Sequence, residues 1–365
     1  MVKIGIIGTG SMAEYQAKKF SRLPNCILWA CKDQHPEHAA DFSSRFSIPY
    51  WYNSIEDMLS ETENACDAYT CTVLDEHHGF IGKKILNLPK PLLMEKPLAQ
   101  RLKDTEELAN LSLLVPTPAL INFSKRNNPA LWALREVLHT HYLGSLVSIE
   151  AEYLQSWVLT KCWGDWLTTP RWKWRLQPSK STAGVLGDLG SHLVDALLLL
   201  FQEIKPEGEA YILTLPEAMK IGTIPSIPIE QDFLSEPGPV PIYAFTSVKV
   251  CSSEGDCIPG TIKLSWIESN TLDAFKIYIK GSYRTAVLDL SLSKDSIEII
   301  DNKTGFKEYR RGKSLLSTYE LFLEQIRLYI EGNKKVPNDI PLPDFLQGFK
   351  VQKTLDTLFS GKLLP

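Results

Sequence analysis

Along the first 120 positions, short apolar bursts alternate with longer amphipathic stretches. KIGIIG (3–8) reads as a buried strand and 11–22 as a helix; CILWAC (26–31) reads as a second strand and 36–46 as a helix. DAYTCTV (67–73), PLLMEK (91–96) and TPALINF (117–123) predict three more strands, with helices over 77–88 and about 102–113 between them. Apolar runs of this kind mark strands covered on both faces, and regular strand–helix alternation predicts a parallel, doubly wound α/β sheet.

After position 122 the grammar changes. Residues 129–140 read as a helix, LVSIEAEYLQ (146–155) as a long alternating strand, and 188–201 as an apolar helix. Strand-like runs follow at 209–214, 243–251, 260–266, 274–280, 285–290 and 296–301, and helices at 315–331 and 343–358. This clustering predicts a C-terminal α+β domain built on a large, mostly antiparallel open sheet. The Pro-rich stretch 215–242 reads as an irregular excursion. A chain of 365 residues exceeds what one core serves, so two domains are expected, 1–122 and 123–365, with the last helix free to pack back on the first domain.

Composition narrows the class. With 44% hydrophobic and 22% charged residues, a net charge of −4 and a pI near 6.0, the chain lacks the basic footprint of a nucleic-acid binder. Its longest apolar run, ALLLLF (196–201), is too short for a bilayer span, and the first strand is not preceded by a signal-like segment. Seven cysteines without a CxxC pair, only Cys251 and Cys257 sharing one short stretch, predict reduced thiols and a cytoplasmic protein.

The first strand runs into GTGSMA, residues 8–13, a G-x-G-x-x-A loop between strand and helix. Gly8 allows the tight turn, Gly10 lets backbone approach a pyrophosphate, Ala13 permits close packing, and Thr9, Ser11 and Met12 complete the cradle at a helix N-terminus. Asp33 ends the second strand, where a carboxylate accepts bonds from ribose hydroxyls and repels a 2′-phosphate; this favours NAD, while Lys32 beside it admits NADP. Lys96 ends the fourth strand at the sheet's carboxyl edge, followed by Pro97 and preceded by Glu95, placed to hold an alcohol or carbonyl oxygen. Within GDLGSHLVDALLLL (187–200), Asp188, His192 and Asp195 fall on one face at helical spacing.

GTGSMA, EKP and GDLGSHLVD, in this order and spacing, resemble the Gfo/Idh/MocA family of NAD(P)-dependent oxidoreductases. The resemblance implies a Rossmann dinucleotide-binding domain over 1–122, a substrate-binding and oligomerisation domain over 123–365, and hydride transfer between a nicotinamide and a hydroxyl or carbonyl carbon of a sugar, cyclitol or sugar derivative. It places the family lysine on Lys96 and the D-x-x-x-H pair on Asp188 and His192. It carries the T-P-N-x-x-H segment beside the cofactor onto Thr72 to His77, with Val73 and Leu74 in place of Pro and Asn, so Thr72, Leu74, His77 and Glu95 join the expected cofactor side. The N-x-R-F-x-P segment falls on 124–129, keeping Arg126 as a substrate-side residue and Pro129. The Gly-rich lead-in to the helix is reduced to STAG, 181–184.

On this reading His192 is the acid/base, its ordinary pKa lying near neutrality, and Asp188 binds a substrate hydroxyl or biases the imidazole. Lys96 polarises the same oxygen, so the site is expected where the domains meet. Asp195 either orients His192 or serves structure. A zinc site from the two carboxylates and the histidine has no second cluster to support it, and no metal is expected. Five tryptophans between 157 and 174, with Arg171, Lys173 and Arg175, either wall a sugar pocket or pack loops; Trp174 and Arg175 are the substrate-side candidates. His78 is expected to face solvent. A homodimer or homotetramer through the open sheet is expected. The competing class is a sensor of the same fold that binds a dinucleotide without turnover.

Overall fold

The computed structural model describes residues 1–177, 180, 183–224, 240–332 and 341–359. The chain divides into two compact units, Met1–Phe123 with Leu316–Lys350, and Ser124–Leu315 with Val351–Pro365.

In the first unit β1 (Val2–Ile7), β2 (Cys26–Lys32), β3 (Tyr50–Tyr52), β4 (Ala68–Cys71), β5 (Leu92–Met94) and β6 (Ala119–Ile121) form one sheet in the order β3-β2-β1-β4-β5-β6. Every neighbouring pair is parallel. Helices α1 (Ser11–Phe20), α2 (Pro36–Phe46), α3 (Ile55–Thr62), α4 (His78–Asn87) and α5 (Leu102–Leu114) make the crossovers. The strand order reverses between β1 and β4, so the loops after these strands diverge and open a crevice at their carboxyl ends. Ile4, Ile6, Phe20, Phe42, Leu93, Phe322 and Ile326 are among the buried core residues, each large side chain contributing about 1.5–3 kcal/mol by burial. The strand β3 and helix α3 were not expected from the pattern. Three residues carry no measurable alternation, and α3 is started by Ser54, whose hydroxyl accepts from the Asp57 N–H at 3.2 Å.

The second unit opens with α6 (Pro129–His139), capped by the Asn128 side-chain Oδ1, which accepts from the Ala130 N–H at 2.9 Å. Then come β7 (Leu146–Gln155), the single-turn helices α7 (Trp157–Thr160) and α8 (Pro170–Lys173), α9 (Ser191–Leu200), β8 (Glu203–Pro206), β9 (Tyr211–Thr214) and α10 (Leu215–Lys220). The strands β10 (Pro241–Cys251), β11 (Cys257–Ser265), β12 (Asp273–Gly281), β13 (Arg284–Asp289), β14 (Ser296–Asp301) and β15 (Lys307–Arg311) complete a nine-stranded sheet in the order β15-β14-β13-β12-β7-β11-β10-β8, with β9 also on β10. Only β7 and β11 run parallel; the other pairs are antiparallel. The helix α11 (Thr318–Ile330) belongs to the first unit, and α12 (Phe345–Leu358) runs through the division after Lys350.

Four expectations need correction or restriction. The strands β8 and β15 are additional. Part of the Pro-rich excursion is helical, since residues 215–220 form α10, and 225–239 lie outside the described residues. Ser181 and Thr182 of STAG lie outside them too. The cysteines are not all thiols. Cys251 and Cys257 are register partners next to the turn of the β10–β11 hairpin, 4.1 Å apart at Cα, and form a disulfide. Spacing alone does not reveal such a register. Cys26, Cys31, Cys66 and Cys71 are buried thiols and Cys162 is an exposed one. Among the described residues no helix is long and apolar enough to cross a membrane.

Candidate functional site

The loop after β1 has the geometry its sequence implies. Gly8 has φ +91, and a Cβ on it would stand 3.0 Å from Thr72 Oγ1 and 3.1 Å from the Thr72 carbonyl carbon, so no other residue fits without strain. A Cβ on Gly10 would meet nothing within 4 Å. Gly10 is the N-cap of α1, has extended backbone and supplies no side-chain cap, so the first N–H groups of α1 are not capped by it. Thr9 is buried, while Ser11 and the side chain of Met12 are exposed. The Asp33 Oδ2 accepts from the Thr9 N–H at 3.0 Å and the Thr9 hydroxyl at 2.8 Å, and Oδ1 accepts from the His35 N–H at 3.1 Å. Burial works against ionisation there, but these hydrogen bonds outweigh it and hold the carboxyl below its ordinary range. An open backbone cradle at a helix N-terminus and an ionised carboxylate at the end of the next strand fit a dinucleotide: Gly8 to Met12 would hold the pyrophosphate and Asp33 the ribose.

At the ends of β4 and β5 the remaining first-unit residues gather. The Thr72 hydroxyl donates to the carbonyls of Ile7 and Gly8, both at 3.2 Å, tying the β4 end to the phosphate loop. Leu74 is half-buried and His77 exposed, with Nε2 3.7 Å from Glu76. Lys96 is half-buried, and its peptide bond to Pro97 is cis. Glu95 points inward. Its Oε1 accepts from Gln16 Nε2 and Asn122 Nδ2, each at 2.6 Å; Asn122 also donates to the Tyr319 hydroxyl at 3.0 Å, and Gln16 accepts from Thr70. Burial raises the Glu95 pKa. The carboxyl thus joins α1, which follows the phosphate loop, to the strand end that carries Lys96.

The expectation that His78 faces solvent is wrong. It is 1% exposed, with Nδ1 2.8 Å from the Pro97 carbonyl and Nε2 3.1 Å from the Val73 carbonyl. A signal was present: His78, Ile81, Gly82 and Ile85 follow the helical period, and all four lie on the buried face of α4. Asp75 was also missed. Its Oδ1 is enclosed and has no hydrogen-bond partner among the described residues, and burial lifts the carboxyl to about 6, opposed in part by the Glu76 backbone N–H and by Lys96.

In the second unit the polar helix face is not a plain α-helix. Leu186–Gly190 form a π turn, and α9 starts at Ser191. Each residue of a π turn advances less than in an α-helix, so the angular spacing inferred for Asp188 and His192 is altered; such turns recur at functional sites. Asp188 is half-buried and His192 9% exposed. Asp195 is 1% exposed and pairs with Arg126, which is 2% exposed. The Tyr153 ring lies 6.4 Å from the His192 ring, with the Lys125 amine 5.3 Å over its face. Burial first, then the Asp273 and Asp188 carboxylates, push the Tyr153 phenol well above its ordinary pKa. Gln155 Nε2 donates to Asp273 Oδ1 at 2.9 Å, and Lys125 stands 3.6 Å from Oδ2. Tyr153 and Gln155 were not anticipated; polar residues at the inward phase of β7, after Ile149 and Ala151, were the available signal.

The tryptophans split by burial. Trp157 and Trp166 are 1% exposed and pack the loop, Trp157 lying 5.0 Å from the Trp266 ring. Trp172 and Trp174 are half-buried, and the Arg175 guanidinium stands 5.0 Å and 4.5 Å from their rings. The Arg171 side chain lies outside the described residues. Among the described residues no group of three or more His, Cys, Asp or Glu is arranged to hold a metal.

Residues 2–112 match the family model described as oxidoreductase family, NAD-binding Rossmann fold, and residues 131–210 match that of the GFO/IDH/MocA C-terminal domain. The chain is 27% identical over 203 residues to glucose-6-phosphate 3-dehydrogenase of Bacillus subtilis (strain 168), covering 55% of this chain and 54% of that one. It is 23% identical over 229 residues to levoglucosan dehydrogenase of Pseudarthrobacter phenanthrenivorans, covering 59% and 55%. The chain thus spans about half the length of the curated relatives it matches. Among solved structures, levoglucosan dehydrogenase in complex with NADH and levoglucosan superposes with a TM-score of 0.78 at 17% identity, covering 99% of this chain and 96% of that one. An inositol dehydrogenase homolog complexed with NAD+ from Azotobacter vinelandii superposes with a TM-score of 0.82 at 13% identity, covering 99% and 95%; both likenesses are of fold.

Proposed function

Taking as premise that the chain belongs to the GFO/IDH/MocA oxidoreductase family, we propose that it moves a hydride between a nicotinamide dinucleotide and a hydroxyl-bearing carbon of a sugar, cyclitol or related polyol. The phosphate loop carries the reading: Gly10 opens onto space at the N-terminus of α1, and the ionised Asp33 is fastened to Thr9 beside it. Asp33 favours NAD over NADP because its charge repels a 2′-phosphate. The bound nicotinamide supplies the hydride acceptor in the oxidising direction.

The chain's own residues handle the oxygen and its proton. The Lys96 ammonium draws negative charge onto the substrate oxygen, His192 takes the hydroxyl proton, and the carbon is left as a carbonyl once the hydride has gone. Asp188 binds a substrate hydroxyl or biases the imidazole. Trp174 and Arg175 belong to the substrate side, the Trp174 ring with its overlying guanidinium suiting a sugar face and its hydroxyls, whereas the expected substrate role of Arg126 is withdrawn because its guanidinium is buried against Asp195. The names of the two curated relatives, both sugar dehydrogenases, support the substrate class. The helices α6 and α9 pack on the large sheet, and its other face suits assembly into a homodimer or homotetramer.

A panel of sugars, cyclitols and polyols, each assayed with NAD and NADP by nicotinamide absorbance, tests the reading. Turnover of at least one substrate is expected, reduced about 10²- to 10⁴-fold in Lys96→Ala and in His192→Ala with NADH affinity retained. Tight NADH binding without turnover of any substrate would overturn it in favour of a sensor.

A further inference from the structure

His78 has no part in the reading above, yet it occupies the junction of the two loops that flank Lys96. One ring nitrogen faces the carbonyl of Pro97, the residue next to Lys96, at 2.8 Å, and the other faces the carbonyl of Val73, in the 72–77 segment, at 3.1 Å. Behind this turn the chain is held by Glu95, whose N–H donates to the Cys71 carbonyl at 3.0 Å and whose carboxyl is bound by Gln16 and Asn122. Ahead of it Leu98 is fully buried. Lys96 therefore sits in a short turn fixed at Glu95 on one side and through the Pro97 carbonyl on the other.

Burial drives the His78 imidazole down to about 4 in spite of the carbonyls that face it. At neutral pH the ring is therefore neutral and carries one N–H for two acceptors. The shorter contact is to Pro97.

We propose that His78 is a positioning residue: by donating Nδ1–H to the Pro97 carbonyl it sets the turn that aims the Lys96 amine. This rests on the reading of Lys96 as the group that meets the substrate oxygen. A displacement of about 1 Å at such a group costs on the order of 10²-fold in rate.

Two substitutions separate the ring nitrogens. The amide nitrogen of His78→Asn falls near Nδ1 and can still reach Pro97, whereas that of His78→Gln falls near Nε2 and reaches Val73 instead. Expected is a kcat loss of about 10- to 100-fold in His78→Gln, rescue of most of it in His78→Asn, and an unchanged NADH affinity in both. Trace acetylation of Lys96 in the free protein gives a readout that needs no substrate. Its rate should change in His78→Gln and match the parent in His78→Asn. Equal losses in the two variants, or parental Lys96 reactivity in both, would overturn the proposal. Should either variant fold poorly, the ¹⁵N spectrum of His78 in the parent protein decides: the Nδ1–H tautomer is expected, and the Nε2–H tautomer refutes it. If the parent turns over no polyol, the functional reading fails while Lys96 reactivity and the tautomer still judge His78.

Discussion

Arg126 and Asp195 form an ion pair inside the second unit, with Nη1 2.5 Å from Oδ1 and both side chains almost wholly out of water. This gives Asp195 a partner and joins the helix that carries His192 to the segment before α6. Removing one member strands a buried charge, so Asp195→Ala or Arg126→Ala is expected to lose about 3–5 kcal/mol of stability, while the apolar pair Arg126→Met with Asp195→Leu loses much less. Denaturant unfolding followed by tryptophan fluorescence reports on this unit, where most tryptophans lie. Single variants no less stable than the double would show that the pair contributes nothing.

The two glycines of the phosphate loop should fail differently. At Gly8 a Cβ meets Thr72 and the backbone has φ +91, so Gly8→Ala is expected to destabilise the first unit as well as to abolish NADH binding. At Gly10 a Cβ meets nothing, so Gly10→Ala should fold with parental stability. It should nevertheless weaken NADH at least about tenfold, because the methyl fills the space a pyrophosphate needs. Parental NADH affinity in Gly10→Ala, by fluorescence titration, would place the dinucleotide elsewhere.

The parallel sheet and the phosphate loop were legible because their signals are local: an apolar run, two glycines at fixed spacing, and an acidic residue one strand later. What escaped depends on register or on tertiary surroundings. The strand Tyr50–Tyr52 is too short to show a period. The Cys251–Cys257 disulfide follows from hairpin register. The π turn at Leu186–Gly190 leaves no mark in a 100° projection. His78 was overlooked because two adjacent histidines at a helix start read as surface, although the apolar stripe of α4 includes the second of them. Lys96 and His192 were read from type and position; the contacts around them, from Glu95 and His78 in one unit and Tyr153 in the other, could not be.

Asp33 should govern the choice of dinucleotide. Its carboxylate already accepts from the His35 N–H and twice from Thr9, which keeps it ionised and in place at the end of β2. Asp33→Asn removes the charge and retains an acceptor for Thr9. It is expected to narrow the preference for NAD over NADP by about tenfold or more, read as the ratio of the two Kd values. An unchanged ratio would mean that another group reads the 2′ position.

Asp75 makes stability depend on pH with a sign opposite to that of a paired carboxylate. Burial raises its folded pKa to about 6, from the 3.8 of a carboxyl in an unfolded chain, and among the described residues its Oδ1 has no hydrogen-bond partner. Between those values the folded protein holds a proton that the unfolded chain has released. The contribution of this group to stability is therefore full below about pH 4, falls as pH rises through the window to about 6, and is lost above it. Asp75→Asn cannot ionise. The variant should match the parent near pH 4 and exceed it in unfolding free energy at pH 7, the gap opening across the window. Urea unfolding of both proteins at several pH values measures the gap, and a gap constant with pH would show that Asp75 is already ionised at pH 4 in the folded state.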